Sequence, residues 1–454
     1  MIPDKIHPDF AGCWKIFICN QDSTEREYGI LKFISESEAQ VFQLKKEYHI
    51  RNRAIRIVND SLFFVFENQP FRGKISADKK RISGTTNALM LSLYYDADAT
   101  LLEEQVKTNV ITYRYKHPEV LQDSLTCSGL DKVQINIARI EKLTDKIISG
   151  RYNNIHSLLI LKNNHLVFEK YFPEKIFAGY PESFYRENFH RTFSVTKAIV
   201  SALIGIAIDN KYIESVDDSV FKYFPGYTQY MTNGKEGLQI KHLLSHTSGI
   251  KWDEDGDDMA LMGSSEDRIQ FFLEKSLVDQ PGEHFRYCSG GLNVLGEIIE
   301  NQTGMRLDQF ANEMLFAPLG IGSYRWKIEP DDKLQMGSGL CLRSRDMAKF
   351  GLLYLNNGKW NGNQVISEQW IKQSTEWIAN KKDRFGMGYC WWQRDFIINN
   401  RNIHTYFAWG HGDQHIFIFP QLDMIVISTA GNYAKRQGSQ VFRILGNYIL
   451  QASF

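Results

Sequence analysis

The chain has 454 residues, too many for one small core, and that length suggests two or three domains. Lysine plus arginine (53) equal aspartate plus glutamate (53), so no global field draws the protein to nucleic acid or anionic lipid. An aromatic content of 13% argues against disorder.

The first residues, Met1-Ile-Pro-Asp-Lys-Ile-His-Pro-Asp9, contain no apolar run of the kind that targets secretion. The longest apolar stretch, near 198–208, falls well short of the ~20 residues a membrane span needs. Cys13, Cys19, Cys127, Cys288, Cys341 and Cys390 are scattered without close pairs, so neither a metal site nor a disulfide framework is expected. A cytoplasmic protein without a cofactor, a nucleic-acid partner or a membrane partner is the expectation.

Residues 1–116 read as short strands separated by polar or glycine turns. Tyr28–Phe33, Leu62–Phe66, Gly73–Ile75 and Leu89–Tyr95 are rich in β-formers, and Phe71–Ser76 followed by Arg81–Gly84 looks like a hairpin. A small all-β accessory domain, a barrel or a sandwich, is expected there. Residues 117–130 read as a linker. From 131 the pattern changes, with Val133, Ile137, Ile140, Leu143 and Ile147 recurring at helical spacing up to Gly150. Strands at 157–162 and 165–172 follow, joined at Asn163-Asn164, residues that tolerate positive φ in a hairpin turn. The C-terminal end mirrors this arrangement, with strands at 415–419 and 424–429 around Pro420 and a helix near 441–450. Residues 131–454 are therefore expected to form an α+β domain. One antiparallel sheet would be built from both ends of this segment and flanked by helices, with the mostly helical stretch 190–380 inserted against it. The segments 250–280 and 375–410 read as loops that shape a pocket.

Ser-x-x-Lys occurs four times, starting at Ser76, Ser194, Ser219 and Ser248. Residues three apart on a helix share a face, with Cβ atoms about 5–6 Å apart, so an amine can reach a hydroxyl. After Ser194 the chain reads Val-Thr-Lys-Ala-Ile-Val-Ser-Ala-Leu-Ile-Gly-Ile-Ala-Ile, apolar on nearly every side, as in a buried helix. Burial disfavours an ammonium, so Lys197 is the lysine able to take a proton from its serine near neutral pH. The other three sites lie in polar or turn-rich segments.

A serine nucleophile also needs a second proton handler and an oxyanion hole. Tyr287, in Pro281-Gly-Glu-His-Phe-Arg-Tyr-Cys-Ser289, precedes a helix starting near Leu292. Beside a lysine ammonium its phenol would become more acidic and could act as a base. Read alone it is more readily a packing residue, like Tyr152 and Tyr354 in similar triplets. Trp409-Gly-His-Gly-Asp-Gln414 stands at the mouth of a strand, where glycines admit close backbone approach. The backbone N–H groups of Ser194 and Gln414 could there receive a developing oxyanion.

The ordered set Ser194-Val-Thr-Lys197, Tyr287-Cys-Ser289 and His411-Gly-Asp413 resembles the serine β-lactamase and penicillin-binding-protein superfamily. The nearest branch is that of class C β-lactamases, family VIII-type esterases and 6-aminohexanoate-dimer hydrolases. His242–Gly249, Gly339–Gly351 and Pro420–Val426 resemble the branch too, so the likeness covers about 130 to 454. It implies that Ser194 is acylated, that Lys197 and Tyr287 share the proton relay, and that Ser194 and Gln414 form the oxyanion hole. Ser289, His411, Gly412 and Asp413 would touch the substrate. Ser289 replaces the asparagine of β-lactamases, and His411 and Asp413 replace their lysine and glycine. A negative charge at Asp413 would disfavour the carboxylate of a β-lactam, whereas a side chain turned away into a hydrogen bond would not; both readings of Asp413 stand.

The expected activity is that of a serine hydrolase acting on a small ester or amide. A D-amino-acid-specific peptidase or weak β-lactamase is the alternative enzyme, and a non-catalytic binding module on the same fold is the alternative of another class. His246 reads as part of a hydrogen-bonded loop, Asp253–Asp258 as a solvated loop flanking the site, and Cys288 as a packing residue.

Overall fold

The computed structural model describes residues 113–172, 186–329, 332–379, 385–433 and 440–454, together with the backbone of the strands between 13 and 95 and of 380–381. The chain divides into two compact units. The first holds Met1–Arg114 with Thr144–Arg151 and Lys175–Glu182; the second holds Tyr115–Leu143, Tyr152–Glu174 and Ser183–Phe454.

Among the described residues, nine strands occupy the first unit: Cys13–Cys19 (β1), Glu25–Ser35 (β2), Glu38–Gln43 (β3), Lys46–Arg51 (β4), Arg56–Val58 (β5), Ser61–Phe66 (β6), Gln69–Ile75 (β7), Arg81–Thr85 (β8) and Met90–Tyr95 (β9). They form one antiparallel sheet in the order β4-β3-β2-β1-β9-β8-β7-β6-β5, with the first and last strands paired at its centre. The hairpin expected near 71–84 is β7–β8, with Arg72 opposite Thr85 and Ile75 opposite Ile82.

In the second unit Ile155–Lys162 (β10) and His165–Tyr171 (β11) meet at Asn163 and Asn164, with φ of 51° and 63°, as the turn chemistry requires. His190–Arg191 (β12), Arg325–Trp326 (β13) and Leu340–Leu342 (β14) make a small sheet in the order β12-β14-β13, and Lys359–Trp360 (β15) pairs with Asn363–Gln364 (β16). Ala379–Lys381 (β17), Phe385–Met387 (β18), Trp392–Ile398 (β19), Arg401–Gly410 (β20), Gln414–Phe419 (β21) and Met424–Ala430 (β22) complete an eight-stranded sheet ordered β11-β10-β22-β21-β20-β19-β18-β17. The pairing of β10 with β22 brings the two ends of this segment together as expected. The segment 375–410 corrects the loop expectation, since most of it is strand. Its β19 alternates buried Trp392, Phe396 and Ile398 with exposed Asp395 and Ile397, and the short run of charged residues within it masks that period.

The helix Val195–Asp209 is buried along residues 195–207, which explains why its sequence is apolar all round. It lies between the sheet, at β20 and β21, and the helix Gly290–Thr303. On the other side of the sequence insert, the helix Ser344–Leu355 packs across β21 and β22. Its Arg345 is nearly fully buried and makes a bidentate pair with Glu169 of β11, with Nε–Oε1 and Nη2–Oε2 both 2.8 Å. The same guanidinium reaches Asp123 at 2.8 Å and the carbonyl of Glu119 at 2.7 Å. Among the described residues, no helix is long and apolar enough to cross a membrane.

Removing one partner of a buried pair strands the other charge. Arg345→Ala is therefore expected to cost about 3–5 kcal/mol of unfolding free energy, read by denaturant titration; a change under about 1 kcal/mol would mean that the network behaves like a surface ion pair.

Candidate active site

Ser194 caps the N-terminus of the helix Val195–Asp209 and stays partly exposed, whereas Lys197, one turn on, is 2% exposed. Lys197 Nζ donates to Ser194 Oγ at 3.0 Å and to the carbonyl of Gly337 at 2.8 Å. Burial lowers the pKa of this amine, and the carboxylate of Glu254 pulls it partly back. The other serine-lysine pairs that can be compared lack this environment: Lys222 is exposed and paired with Glu214 and Asp218, and Lys251 is exposed. Ser76 and Lys79 lie outside the described side chains.

Tyr287 comes to the same point from the segment before the helix Gly290–Thr303. Its hydroxyl hydrogen-bonds the side chain of Ser194, and Lys197 Nζ lies 5.2 Å from its ring centroid. The expected acidification is reversed here. Burial, and then the negative charge of Glu254, push the phenol above its ordinary value, and the Ser194 hydrogen bond only partly opposes them. A phenol held in this way stays protonated.

Glu254 was not anticipated. It belongs to the acidic run 253–258, whose composition reads as solvated, yet its carboxylate turns inward. Oε2 accepts from Trp252 Nε1 and from the backbone N–H of Ser289, both at 2.9 Å, and Oε1 accepts from Ser289 Oγ. The Ser289 hydroxyl, expected to face a substrate, is thus turned to this carboxylate. A tryptophan two residues before the glutamate was the available signal, because an indole N–H can hold a carboxylate in place. Asp258 opens the helix Asp258–Gly263, accepting from Asp253 N and pairing with Lys275 at 2.7 Å.

The third motif abuts the segment that carries Ser194 through its preceding residues. Thr192 is pinned to β14, its N–H and Oγ1 donating to the Leu340 carbonyl at 2.9 and 2.8 Å. Gly410, the last residue of β20, packs against that point so closely that a Cβ would stand 2.1 Å from the Thr192 carbonyl oxygen. The glycine expected to admit a substrate thus admits the backbone next to Ser194. His411 is exposed, and its ring meets Phe193 at 5.6 Å and Tyr433 at 5.7 Å. Gly412 and Asp413 have φ of 81° and 74°, and a Cβ on Gly412 would collide with the Tyr433 ring. Asp413 is buried with Oδ2 accepting from Asn432 Nδ2 at 3.0 Å, so its carboxylate is turned into a hydrogen bond. Gln414 opens β21, and its side chain braces the strand mouth by donating to the carbonyls of His411 and Ala430 at 3.1 and 2.6 Å.

Tyr152 and Tyr354 sit in the core, against Tyr448 and against Phe350 and Trp391, as packing residues do. Cys288 is buried, and burial pushes its thiol up to about 12, which leaves it protonated and inert. A cavity of about 460 Å³ lined by His242, Thr247, His284, Phe285 and Tyr389 contains none of Ser194, Lys197 and Tyr287, so chemistry and not concavity locates the site.

The beta-lactamase family model matches residues 156–437. A family VIII carboxylesterase has a similar structure, with a TM-score of 0.58 at 16% identity over 74% of this chain and 100% of that one. A penicillin binding protein from Bacillus halodurans has a TM-score of 0.53 at 17% identity over 70% of this chain and 99% of that one. In sequence, an Escherichia coli (strain K12) relative, provisionally named a D-alanyl-D-alanine carboxypeptidase, is 28% identical over 217 residues. That match takes in 43% of this chain and spans about half (49%) of the relative's length.

Adding a methyl group at Gly410 must displace Thr192, two residues from Ser194. Gly410→Ala is expected to slow the reaction of Ser194 with a fluorophosphonate by about 10²-fold, the scale set by misplacing a reacting group by ~1 Å. An unchanged labelling rate in a folded variant would show that this contact does not set the position of the serine.

Proposed function

We propose that this chain, which belongs to the beta-lactamase family, is a serine hydrolase that cleaves small esters or amides through an acyl-enzyme on Ser194. The observation that carries the reading is the 3.0 Å contact between Ser194 Oγ and a buried, otherwise uncharged-partnered Lys197 amine. As a free base, Lys197 takes the Ser194 proton while Oγ forms its bond to the substrate carbonyl carbon. The carbonyl π electrons move to oxygen, and the backbone N–H groups of Ser194 and Gln414 are the donors assigned to that oxyanion. On collapse the bond to the leaving alcohol or amine breaks, and that group takes a proton from the Lys197 ammonium, directly or relayed through the Tyr287 hydroxyl. Water then repeats the sequence, returns Ser194 to its hydroxyl form and releases the acid.

Tyr287 has the part of a protonated relay, and Lys197 that of the base, because burial favours neutral forms of both groups. Glu254 gives the site a fixed negative charge beside Ser289. Such a charge disfavours anionic substrates, including β-lactam carboxylates, and suits neutral esters and amine-bearing amides. That role was expected of Asp413, whose carboxylate instead bonds Asn432.

Fluorophosphonate labelling and turnover of a short p-nitrophenyl ester should both vanish in Ser194→Ala, and Lys197→Ala should lose about 10²–10⁴-fold in kcat. Labelling that persists without Ser194 would favour a binding module with incidental reactivity. The pH profile has a definite sign. The base must be unprotonated, so kcat/KM rises as pH climbs through the pKa of Lys197. Because Glu254 raises that pKa, Glu254→Gln should shift the acid limb to lower pH. A shift in the opposite direction would remove Glu254 from the electrostatics of the site.

A further inference from the structure

His246 lies in the loop after the helix Ile240–Leu244 and holds the Tyr287 segment at three consecutive residues. Its carbonyl accepts the Arg286 N–H at 2.7 Å. Its ring stacks on the Tyr287 ring, with centroids 4.4 Å apart and planes inclined by 25°. Its Nδ1 accepts the buried Cys288 N–H at 3.1 Å. A backbone N–H can only donate, so Nδ1 carries no proton, and the neutral ring bears its hydrogen on Nε2. That Nε2 is buried without a hydrogen-bond partner among the described residues.

The other face of Tyr287 is closed by Trp392 of β19, with centroids 5.8 Å apart and planes 19° from parallel. Phe285 bridges the two flanking rings, 6.1 Å from His246 and 5.8 Å from Trp392. His246 itself has φ of 57°, an uncommon conformation for a residue with a side chain, braced by the Thr247 N–H bonded to the His242 carbonyl at 2.8 Å. A left-handed backbone and an unpaired ring nitrogen are both unfavourable for stability alone, and such features concentrate at functional positions.

We propose that His246 is the positioning residue of Tyr287: its stacked ring and its Nδ1 acceptor together aim the phenol at Ser194. Neither feature alone suffices. A phenylalanine would keep the stack and leave the Cys288 N–H unpaired, whereas an asparagine would keep an acceptor and tolerate the positive φ but leave one face of Tyr287 open. Histidine supplies both from one side chain. The inference rests on the reading of Tyr287 as a proton relay, which Tyr287→Phe tests separately.

The experiment is a double-mutant cycle on ester turnover, using Tyr287→Phe, His246→Ala and the double variant, with His246→Asn as a conservative fourth. Each preparation is normalised to the number of sites labelled at completion by a fluorophosphonate, so that misfolded protein drops out. The expected result is a fall in kcat of at least about 10²-fold for Tyr287→Phe and for His246→Ala. KM should stay within about threefold, and the double variant should be no slower than Tyr287→Phe alone. His246→Asn should recover part of the loss, and if His246→Ala does not fold, the cycle runs through His246→Asn instead. Independent, multiplying losses in the double variant would overturn the positioning role, as would a loss confined to the number of labelled sites or to KM. Full activity in Tyr287→Phe would instead overturn the reading of Tyr287, and with it the role of His246.

Discussion

The chemistry proposed for this protein hangs on keeping one amine out of water. Lys197 sits in the first turn of a helix enclosed from residue 195 to 207, with a hydroxyl and a carbonyl as hydrogen-bond partners. Desolvation penalises the ammonium, so the free base becomes accessible and can accept the proton of the serine one turn earlier. The position of that helix between the sheet and Gly290–Thr303 determines whether the amine is dry. The neighbouring packing therefore belongs to the reactivity as much as to the stability.

The charge that tempers this burial comes from an unexpected place. Glu254 is held by an indole N–H, a backbone N–H and a serine hydroxyl, so its direction is set before any substrate arrives. It raises the proton affinity of both Lys197 and Tyr287, whereas burial separates them: it lowers the pKa of the lysine, which can lose its proton, and raises that of the phenol, which keeps it. Two titrating groups beside one another are thus distinguished by their shared burial, and the carboxylate tempers it at the lysine alone.

Much of the fold was legible from local pattern. The Asn163-Asn164 turn, the strands on either side of it, and the apolar helix after Ser194 each follow from residue preferences within a few positions. The Ser194–Lys197 contact was legible for the same reason, because helical geometry alone brings residues three apart together. The strands between 379 and 410 were not legible. Charged residues on the exposed face, such as Asp395 and Arg401, break the apolar run that would have marked them. Glu254 and His246 were hidden for a different reason. An acidic run and a Ser-His-Thr-Ser-Gly loop both have a polar composition that fits solvent equally well.

The amino-acid sequence by itself determined the pairing of Ser194 with its lysine and the order of the three motifs, because those depend on helix periodicity and on residue chemistry. Only the tertiary structure decided which way the accompanying side chains turn. It directed Ser289 to Glu254, Asp413 to Asn432, Gly410 against the Thr192 carbonyl, and the His246 ring beneath Tyr287. Each of these contacts joins segments far apart along the chain. Its direction is set by steric exclusion and by the need of buried polar groups for partners, and neither is encoded in the neighbouring residues.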